Sequence, residues 1–199
     1  MTFVKDSIKN TLQVEGEAIL HMMRNIDMAV VENIVQLFCD CKGKVFVTGC
    51  GTSGAAAKKI AHTLCCVNRP AAYLNPTDAV HGGLGIVAEG DVIVFLSKGG
   101  ATKELTSLVE ASRSKGAATI AITEKENSQL ANDCDICLKI QVEKEPDQFN
   151  MLATASTLTV VAVMDAIAIC VMEKTGFTKE AFGVIHPGGA VGERLLHNK

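Results

Sequence analysis

Two glycine-bearing loops carry the residue types most suited to chemistry, and the first runs from Gly49 to Gly54. Glycines let the backbone approach an anion, and the hydroxyls of Thr52 and Ser53 lie where a helix with free amide groups would begin. The G-x-G-x-x-G spacing also matches a dinucleotide fingerprint, which needs an acidic residue about 20 residues further on. Asp78 lies 27 residues beyond Gly51, after a proline. The loop therefore favours a phosphate group over a dinucleotide.

The second loop, from Ser97 to Glu104, has the sequence SKGGATKE. Ser97 and Thr102 place hydroxyls at both ends of a glycine turn, ahead of a predicted helix whose first amides have no intrahelical partners. Such a turn suits a phosphate monoester. The alternative is an ordinary turn in which Thr102 caps the helix. Two such loops on neighbouring strands favour phosphate binding.

Alternating elements position both loops at one edge of a sheet. Short apolar runs predict strands at 44–49, 71–74, 91–97, 118–123 and 134–140, and helical periodicity predicts helices at 53–67, 102–114 and 128–132. This alternation predicts an α/β fold with a five-stranded parallel sheet covered on both faces. Ligands of such sheets bind at the carboxyl ends of the strands.

Two longer helical segments flank the pattern. Ile26, Val30, Ile34 and Phe38, spaced four apart, predict an amphipathic arm over residues 6–41. Residues 151–172 are apolar on nearly every side but include Asp165 and several hydroxyls, which favours a core or intersubunit helix over a membrane span. We expect a single domain over 1–199, with the arm at 1–41, and a homo-oligomer that covers the apolar stripes.

The composition limits the class of partner. The chain has 199 residues, of which 48% are hydrophobic, enough for one sizeable core. Its 19 basic and 22 acidic residues give a net charge of -3, which offers no attraction to nucleic acid or an anionic membrane. The first ten residues lack the apolar run of a secretory signal peptide. We therefore expect a cytoplasmic protein with a small soluble ligand.

The eight cysteines raise the question of a metal site. Cys134 and Cys137 have the spacing of a ligand pair, but no second C-x-x-C motif completes a set of four zinc ligands. In CDICLKI, Cys134, Ile136 and Leu138 alternate with Asp135, Cys137 and Lys139, as in a short strand. We expect these thiols to act as small buried hydrophobes and expect no bound metal.

The order of the motifs resembles the sugar isomerase (SIS) domain family: G-x-G-x-S, then S-x-x-G-x-T-x-E after the next buried strand, then HPGGA-x-G near the C-terminus. Residues 41–196, about three quarters of the chain, are similar to arabinose 5-phosphate isomerases through CKGKVFVTGCGTSG, NPTDAVHGGLG, EKE, VMDAIA and GFTKEAFGVIHPGGAVGERLL. The resemblance implies an α-β-α sandwich, usually a tetramer. It also implies interconversion of a ketose phosphate and an aldose phosphate through an enediol, without metal or organic cofactor.

The resemblance further implies roles for particular residues. The catalytic positions are Glu104, Glu145 and His186, because a carboxylate suits proton transfer between C1 and C2 and a histidine exchanges protons with sugar oxygens. The substrate and phosphate positions are Gly51, Thr52, Ser53, His81, Ser97, Lys98, Gly99, Gly100 and Thr102. Without the family, the two glutamates are typical of solvated surface acids, and His186 of a turn histidine.

The chain departs from the family pattern in both loops. Thr52 stands where these isomerases have lysine, and SKGGAT replaces S-N-S-G-E-T. Lys98 is new and is a candidate to restore the lost positive charge, although loop lysines are commonly solvated. The segment PDQFNMLATAS after Glu145 also differs from the usual C-P-L-G-L-A-P-T-S. These differences bear on the substrate more than on the fold.

One alternative from another functional class stays open, a phosphosugar-binding or sensing SIS domain without turnover. Such domains occur in transcriptional regulators, but the segment up to Asp40 carries only Lys5, Lys9 and Arg24 as basic residues. Regulation through DNA is therefore not expected. The pair of CBS modules that family members often carry after the SIS domain is not expected either.

Overall fold

The computed structural model describes residues 2–188, in which helices surround one sheet. The strands are β1 Val45–Gly49, β2 Ala71–Tyr73, β3 Val92–Leu96, β4 Ala118–Thr123 and β5 Ile136–Lys139. The helices are α1 Thr2–Asn25, α2 Met28–Asp40, α3 Gly51–Cys66, α4 Pro76–Val80, α5 Lys103–Ser114, α6 Gln129–Asp133, α7 Ala155–Lys174 and α8 Lys179–Ile185, with a 3-10 turn at Gly83–Ile86. Every strand pair is parallel, so the predicted five-stranded parallel sheet is confirmed.

The strand order brings the two predicted loops together. The order is β2-β1-β3-β4-β5, so the chain runs outward from β1 to β2 and then returns past β1 to β3. Gly49 at the end of β1 pairs with Leu96 at the end of β3. Both loops therefore leave the sheet side by side, at the point where the strand order reverses and where open parallel sheets bind ligands.

Alternate residues along each strand face two different helical layers. Val45 and Val47 of β1 pack into the core formed with α2, α3 and α7. Phe46, between them, packs into a second core formed with α5 and α6. Because successive strand side chains point to opposite faces, this alternation gives the predicted three-layer α-β-α sandwich.

The predicted N-terminal arm consists of two helices rather than one. Asp27 lies at the N-cap of α2, where its Oδ1 accepts hydrogen bonds from the amides of Ala29 at 3.0 Å and Val30 at 3.2 Å. A side chain that caps a new helix ends the preceding one, because the cap residue has extended backbone angles. The interruption lets α2 bury Ile34 and Phe38 completely against the sheet.

The predicted strand alternation is wrong for Cys134, because the strand begins only at Ile136. Cys134 is the C-cap of α6, and its amide donates to the carbonyl of Leu130 at 3.2 Å. Both Cys134 and Cys137 pack against the same core, that of α5 and α6. Burial raises the pKa of the Cys134 thiol to about 12. The two thiols were predicted to be buried, whereas both are only partly buried against this core.

Helix α7 begins at Ala155, four residues after the predicted start, because the chain before it forms a loop around two carboxylates, those of Glu145 and Asp147. The helix is long and apolar enough to cross a membrane by length and composition alone, with a mean hydropathy of 2.1 over 18 residues. However, Met164, Ile167 and Val171 are buried in the core with α2 and α3. This packing is typical of a core helix.

Candidate active site

The turn after β3 is built around two hydroxyls. The Ser97 and Thr102 hydroxyl oxygens lie 2.9 Å apart and share a hydrogen bond, and the amide of Gly100 donates to Ser97 Oγ at 3.1 Å. Thr102 occupies the N-cap of α5, but its side chain does not cap the helix and turns to Ser97 instead. The alternative of an ordinary turn is right in placing Thr102 at the N-cap, but the Thr102 side chain makes no capping hydrogen bond. The first amides of α5 remain available to an anion.

The loop after β1 packs closely against the start of α3. A Cβ on Gly49 would lie 2.9 Å from the backbone of Ser53, and one on Gly54 would lie 2.7 Å from the carbonyl oxygen of Gly49. Gly51 has a positive φ of 54°, which glycine adopts without strain. Gly51 and Thr52 are exposed. Ser53 is half-buried and lies across from the turn after β3.

A cavity of about 50 Å³ joins the two loops at the carboxyl edge of the sheet. Apolar side chains from β3, β4, α3 and α7 form part of its wall. Its polar lining comes from Ser53, Ser97, Lys98, Thr123, Glu124, Ser156 and Thr157. The structure thus brings together three residues that the sequence predicted for the phosphate site, namely Ser53, Ser97 and Lys98.

Glu145 is buried beside this cavity, and donors surround both of its oxygens. Its side chain is 0% exposed, and Lys98 Nζ donates to Oε1 at 2.7 Å. The hydroxyl of Ser156 also donates to Oε1, and the amides of Thr154 and Ser156 lie 3.0 and 3.4 Å from Oε2. Burial alone would raise the pKa of Glu145, but these hydrogen bonds outweigh it and hold the pKa below its usual value. Glu145 is therefore ionised at neutral pH.

Glu124 is a cavity residue that the sequence analysis missed. It directly follows β4, and its Oε1 lies 3.8 Å from Lys98 Nζ. Ser156, which donates to Glu145, was missed as well, because the hydroxyls of that helix served only as an argument against a membrane span. The rule that selected the loops after β1 and β3, namely that ligands bind at the carboxyl ends of parallel strands, would have found Glu124 had it been applied to β4.

Glu104 and the two predicted histidines, His81 and His186, are all described by the structure and lie outside this cavity. Glu104 is exposed in the first turn of α5. Burial raises the pKa of the Cys50 thiol, and the negative charge of Glu104 raises it further, so Glu104 lies near the loop after β1. His81 is exposed at the end of α4. The three predicted catalytic residues, Glu104, Glu145 and His186, do not meet around one cavity.

His186 stacks on Phe182 at the end of α8, with ring centroids 3.9 Å apart, and its Nδ1 lies 3.0 Å from the Phe182 carbonyl oxygen. No residue of α8, all of which is described, is buried. The predicted motif HPGGA-x-G continues through residues 189–192, which lie outside the described part of the chain. Within residues 2–188, no group of three or more His, Cys, Asp or Glu side chains is arranged to hold a metal ion.

Comparison with known proteins identifies the family. The family model for the SIS domain matches residues 37–170, which is more than half of the chain. The chain belongs to the SIS domain family. This SIS domain is 33% identical over 190 residues to the arabinose 5-phosphate isomerase KpsF of Escherichia coli, across 96% of this chain and 60% of KpsF. It therefore spans less than two thirds of the length of that relative.

Solved structures resemble this SIS domain closely. A candidate sugar-phosphate isomerase from Listeria monocytogenes has a TM-score of 0.91 and 45% identity, over 93% of this chain and 97% of that one. An Escherichia coli CFT073 protein in complex with arabinose 5-phosphate has a TM-score of 0.90 and 32% identity, over 94% of this chain and 98% of that one. The predicted SIS fold is confirmed by these neighbours.

We predict that Gly100→Ala disrupts the turn of this SIS domain, whereas Gly99→Ala leaves it intact. Gly100 has a φ of 64°, and a Cβ there would lie 2.0 Å from Ser128 Oγ, while a Cβ on Gly99 would meet nothing within 4 Å. We expect Gly100→Ala to lower the free energy of unfolding by about 1–3 kcal/mol, measured by urea denaturation. Equal stability of the two variants would contradict this account of the turn.

We predict a pH-dependent loss of stability in Lys98→Met. The lowered pKa of folded Glu145 means that its ionised form stabilises the fold above the unfolded value of about 4.3, and that this contribution is lost as the pH falls through the folded value. Without Lys98, burial is opposed only by the hydrogen bonds from Ser156 and Thr154, so the pKa of Glu145 rises relative to the wild-type protein. The variant should therefore lose about 1–3 kcal/mol at pH 7 and less near pH 4.

The measurement for Lys98→Met is urea denaturation at both pH values, with Lys115→Met as a control, because Lys115 is an exposed lysine at the end of α5. The control should match the wild-type protein at each pH. A Lys98→Met variant that is destabilised equally at pH 7 and pH 4 would show that its effect does not come from the charge of Glu145.

Proposed function

We propose that this SIS domain interconverts a ketose phosphate and an aldose phosphate, as an isomerase of the arabinose 5-phosphate type. The observation that carries the proposal is the cavity beside the turn at Ser97, where hydroxyls, a lysine and carboxylates meet at the carboxyl edge of the sheet. The activity of KpsF and the arabinose 5-phosphate bound to the Escherichia coli neighbour support this substrate class.

The phosphate group would bind at the turn between β3 and α5. The hydroxyls of Ser97 and Thr102 can reorient to donate to phosphate oxygens, and the free amides at the start of α5 favour negative charge. Ser53 faces the same cavity from the loop after β1. The buried carboxylate of Glu145 would repel a dianion, but its ion pair with Lys98 Nζ neutralises that charge.

Proton transfer would use a carboxylate with free acceptor positions. Glu104 is exposed and carries the inferred role of moving the proton between C1 and C2. The donors on both oxygens of Glu145 favour a positioning role for that residue, holding Lys98 at the cavity, over proton transfer. His186 would exchange protons with the sugar oxygens during ring opening. This chemistry needs neither a metal ion nor an organic cofactor.

A second candidate function is phosphosugar binding without turnover. It is favoured by two observations: Thr52 replaces the lysine of the family pattern, and Glu104 lies outside the cavity that Lys98 lines. A sensing domain needs the phosphate turn but no free catalytic base. Assays on a panel of pentose and hexose phosphates separate the two functions, since only the isomerase converts any of them.

We predict that Glu104→Gln abolishes turnover of the phosphosugar identified in that panel while changing its affinity little, because the neutral amide cannot accept the carbon-bound proton. Glu110→Gln, an exposed acid on the same helix, is the matched control and should retain full activity. Thr102→Ala should weaken binding by about 0.5–1.5 kcal/mol if one neutral hydrogen bond is lost, and by more if the bond to the phosphate is charge-assisted. Full activity of Glu104→Gln would overturn its catalytic role.

The proposal includes a cytoplasmic homo-oligomer, a tetramer or dimer, with a small sugar phosphate as ligand and no nucleic acid or membrane partner. Helix α1 exposes a row of apolar side chains: Phe3, Val4, Ile8, Leu12, Leu20 and Met23. An apolar groove between α1, α2 and α7, lined by Ile19, Met23, Met28, Val163 and Cys170, extends this surface. A second copy of the chain would cover it and remove its apolar area from water.

We predict a solution mass that is a multiple of 21.0 kDa, measured by light scattering at micromolar concentration. Leu12→Glu should lower that mass without unfolding the chain, because Leu12 is 64% exposed within one chain. Lys9→Glu, which changes an exposed polar position of the same helix, is the control. A wild-type mass near 21.0 kDa would rule out the oligomer.

A further inference from the structure

Glu124 is held rigidly at the cavity by its backbone. Its amide donates to the carbonyl oxygen of Lys98 at 3.1 Å, and the hydroxyl of the preceding residue, Thr123, donates to the same oxygen at 3.1 Å. These bonds tie the end of β4 to the turn after β3. The Glu124 side chain is only 14% exposed, so the carboxylate is directed into the protein and lines the cavity rather than extending into solvent.

One oxygen of this carboxylate is buried without a donor. Within the described residues, Glu124 Oε1 has no hydrogen-bond partner. Lys98 Nζ lies 3.8 Å away, too far for a hydrogen bond, because it is bound to Glu145 at 2.7 Å. The two carboxylates of this cavity therefore differ: Glu145 is satisfied by protein donors, whereas Glu124 is not. Buried polar groups in folded proteins are nearly always hydrogen-bonded, so the free oxygen requires a specific explanation.

The chemistry of the cavity indicates what would donate to this oxygen. Lys98, Glu124 and Glu145 together carry a formal net charge of -1. This charge disfavours an anionic group of the ligand at this end of the cavity. A phosphate dianion has no proton to donate, so it does not fit Oε1. A sugar hydroxyl is neutral, donates one hydrogen bond, and is small enough for a cavity of about 50 Å³ that opens beside Ser53 and Ser97.

We propose that Glu124 is a substrate-contacting residue whose Oε1 accepts a hydrogen bond from a hydroxyl of the sugar part of the ligand. The inference rests on the proposed function for its ligand class and adds a specificity determinant to the site. A site that leaves a buried acceptor unpaired in the absence of one hydroxyl discriminates strongly against analogues that lack it. Glu124 would therefore select among phosphosugars by the position of their hydroxyls, while the turn at Ser97 binds the phosphate that they share.

The test compares Glu124→Met, Glu124→Gln and the control Glu126→Met. Methionine keeps the length of the side chain but removes both acceptor oxygens, and glutamine keeps one. Glu126 lies two residues further along, with its side chain 61% exposed and paired with Lys139 at 2.8 Å, outside the cavity. Affinities for arabinose 5-phosphate, for the other phosphosugars of the panel and for inorganic phosphate are measured by calorimetry, so that the result does not depend on turnover.

We expect Glu124→Met to lose about tenfold or more in affinity for the sugar phosphate, with Glu124→Gln intermediate, since a hydrogen bond to a charged acceptor is stronger than one to a neutral acceptor. Affinity for inorganic phosphate should be unchanged or slightly higher in both, because a negative charge has been removed. Glu126→Met should match the wild-type protein for both ligands. If Glu124→Met does not fold, the comparison of Glu124→Gln with Glu126→Gln decides in the same way.

Two results would overturn the inference: unchanged affinity of the Glu124 variants for the sugar phosphate, or an equal loss for sugar phosphate and inorganic phosphate. Wild-type protein that binds sugar phosphates with the expected pattern but converts none would refute the isomerase and leave the role of Glu124 supported. Wild-type protein that binds no sugar phosphate would refute both.

Discussion

The contact between Lys98 and the buried Glu145 connects the parts of the site. Glu145 has no exposed side-chain surface, so its charge requires donors on both oxygens. Those donors come from the turn after β3, through Lys98, and from the start of α7, through Thr154 and Ser156. The carboxylate thereby fixes the position of the turn relative to a core helix. A site built on these two elements is as rigid as the core beneath it, since α7 is buried against the sheet.

The contact with Glu145 also determines how much charge Lys98 contributes to the cavity. From the sequence, Lys98 is a candidate to replace the cation that Thr52 removes from the family pattern, with a solvated loop lysine as the alternative. In the structure its ammonium group is neutralised by Glu145 and lies 3.8 Å from Glu124, so it adds little net positive charge to the cavity. Phosphate binding would then depend mainly on the amides and hydroxyls of the turn, which attract an anion through dipoles. Lys98 instead donates a hydrogen bond to Glu145 and lies near Glu124, whose Oε1 has no donor among the described residues.

The two carboxylates differ in what they do: Glu145 stabilises the fold of the site, and Glu124 is the candidate for ligand recognition. Satisfied buried charges stabilise a defined arrangement, and removing one partner leaves a costly unpaired group. An unsatisfied buried acceptor destabilises the free protein unless a ligand pairs with it, so it is expected where binding needs discrimination. Glu145 and Glu124 both lie within 4 Å of Lys98 Nζ, so a paired and an unpaired carboxylate occur side by side at this site.

The sequence by itself determined the layers of the fold and predicted the edge of the sheet where a ligand would bind, because buried strands, helical periodicity and glycine-bearing turns are local signals. Ser53, Ser97 and Lys98 belong to the two predicted loops, and in the structure all three line the cavity. Only the tertiary structure decided which charges meet. Glu145 is 47 residues from Lys98 along the chain, and from the sequence it is typical of a surface acid. Only the packed structure buries it and brings it next to Lys98. The position of Glu124 after β4 can be read from the sequence, but its unpaired oxygen exists only once β4 packs beside the turn after β3, because burial removes water as a donor.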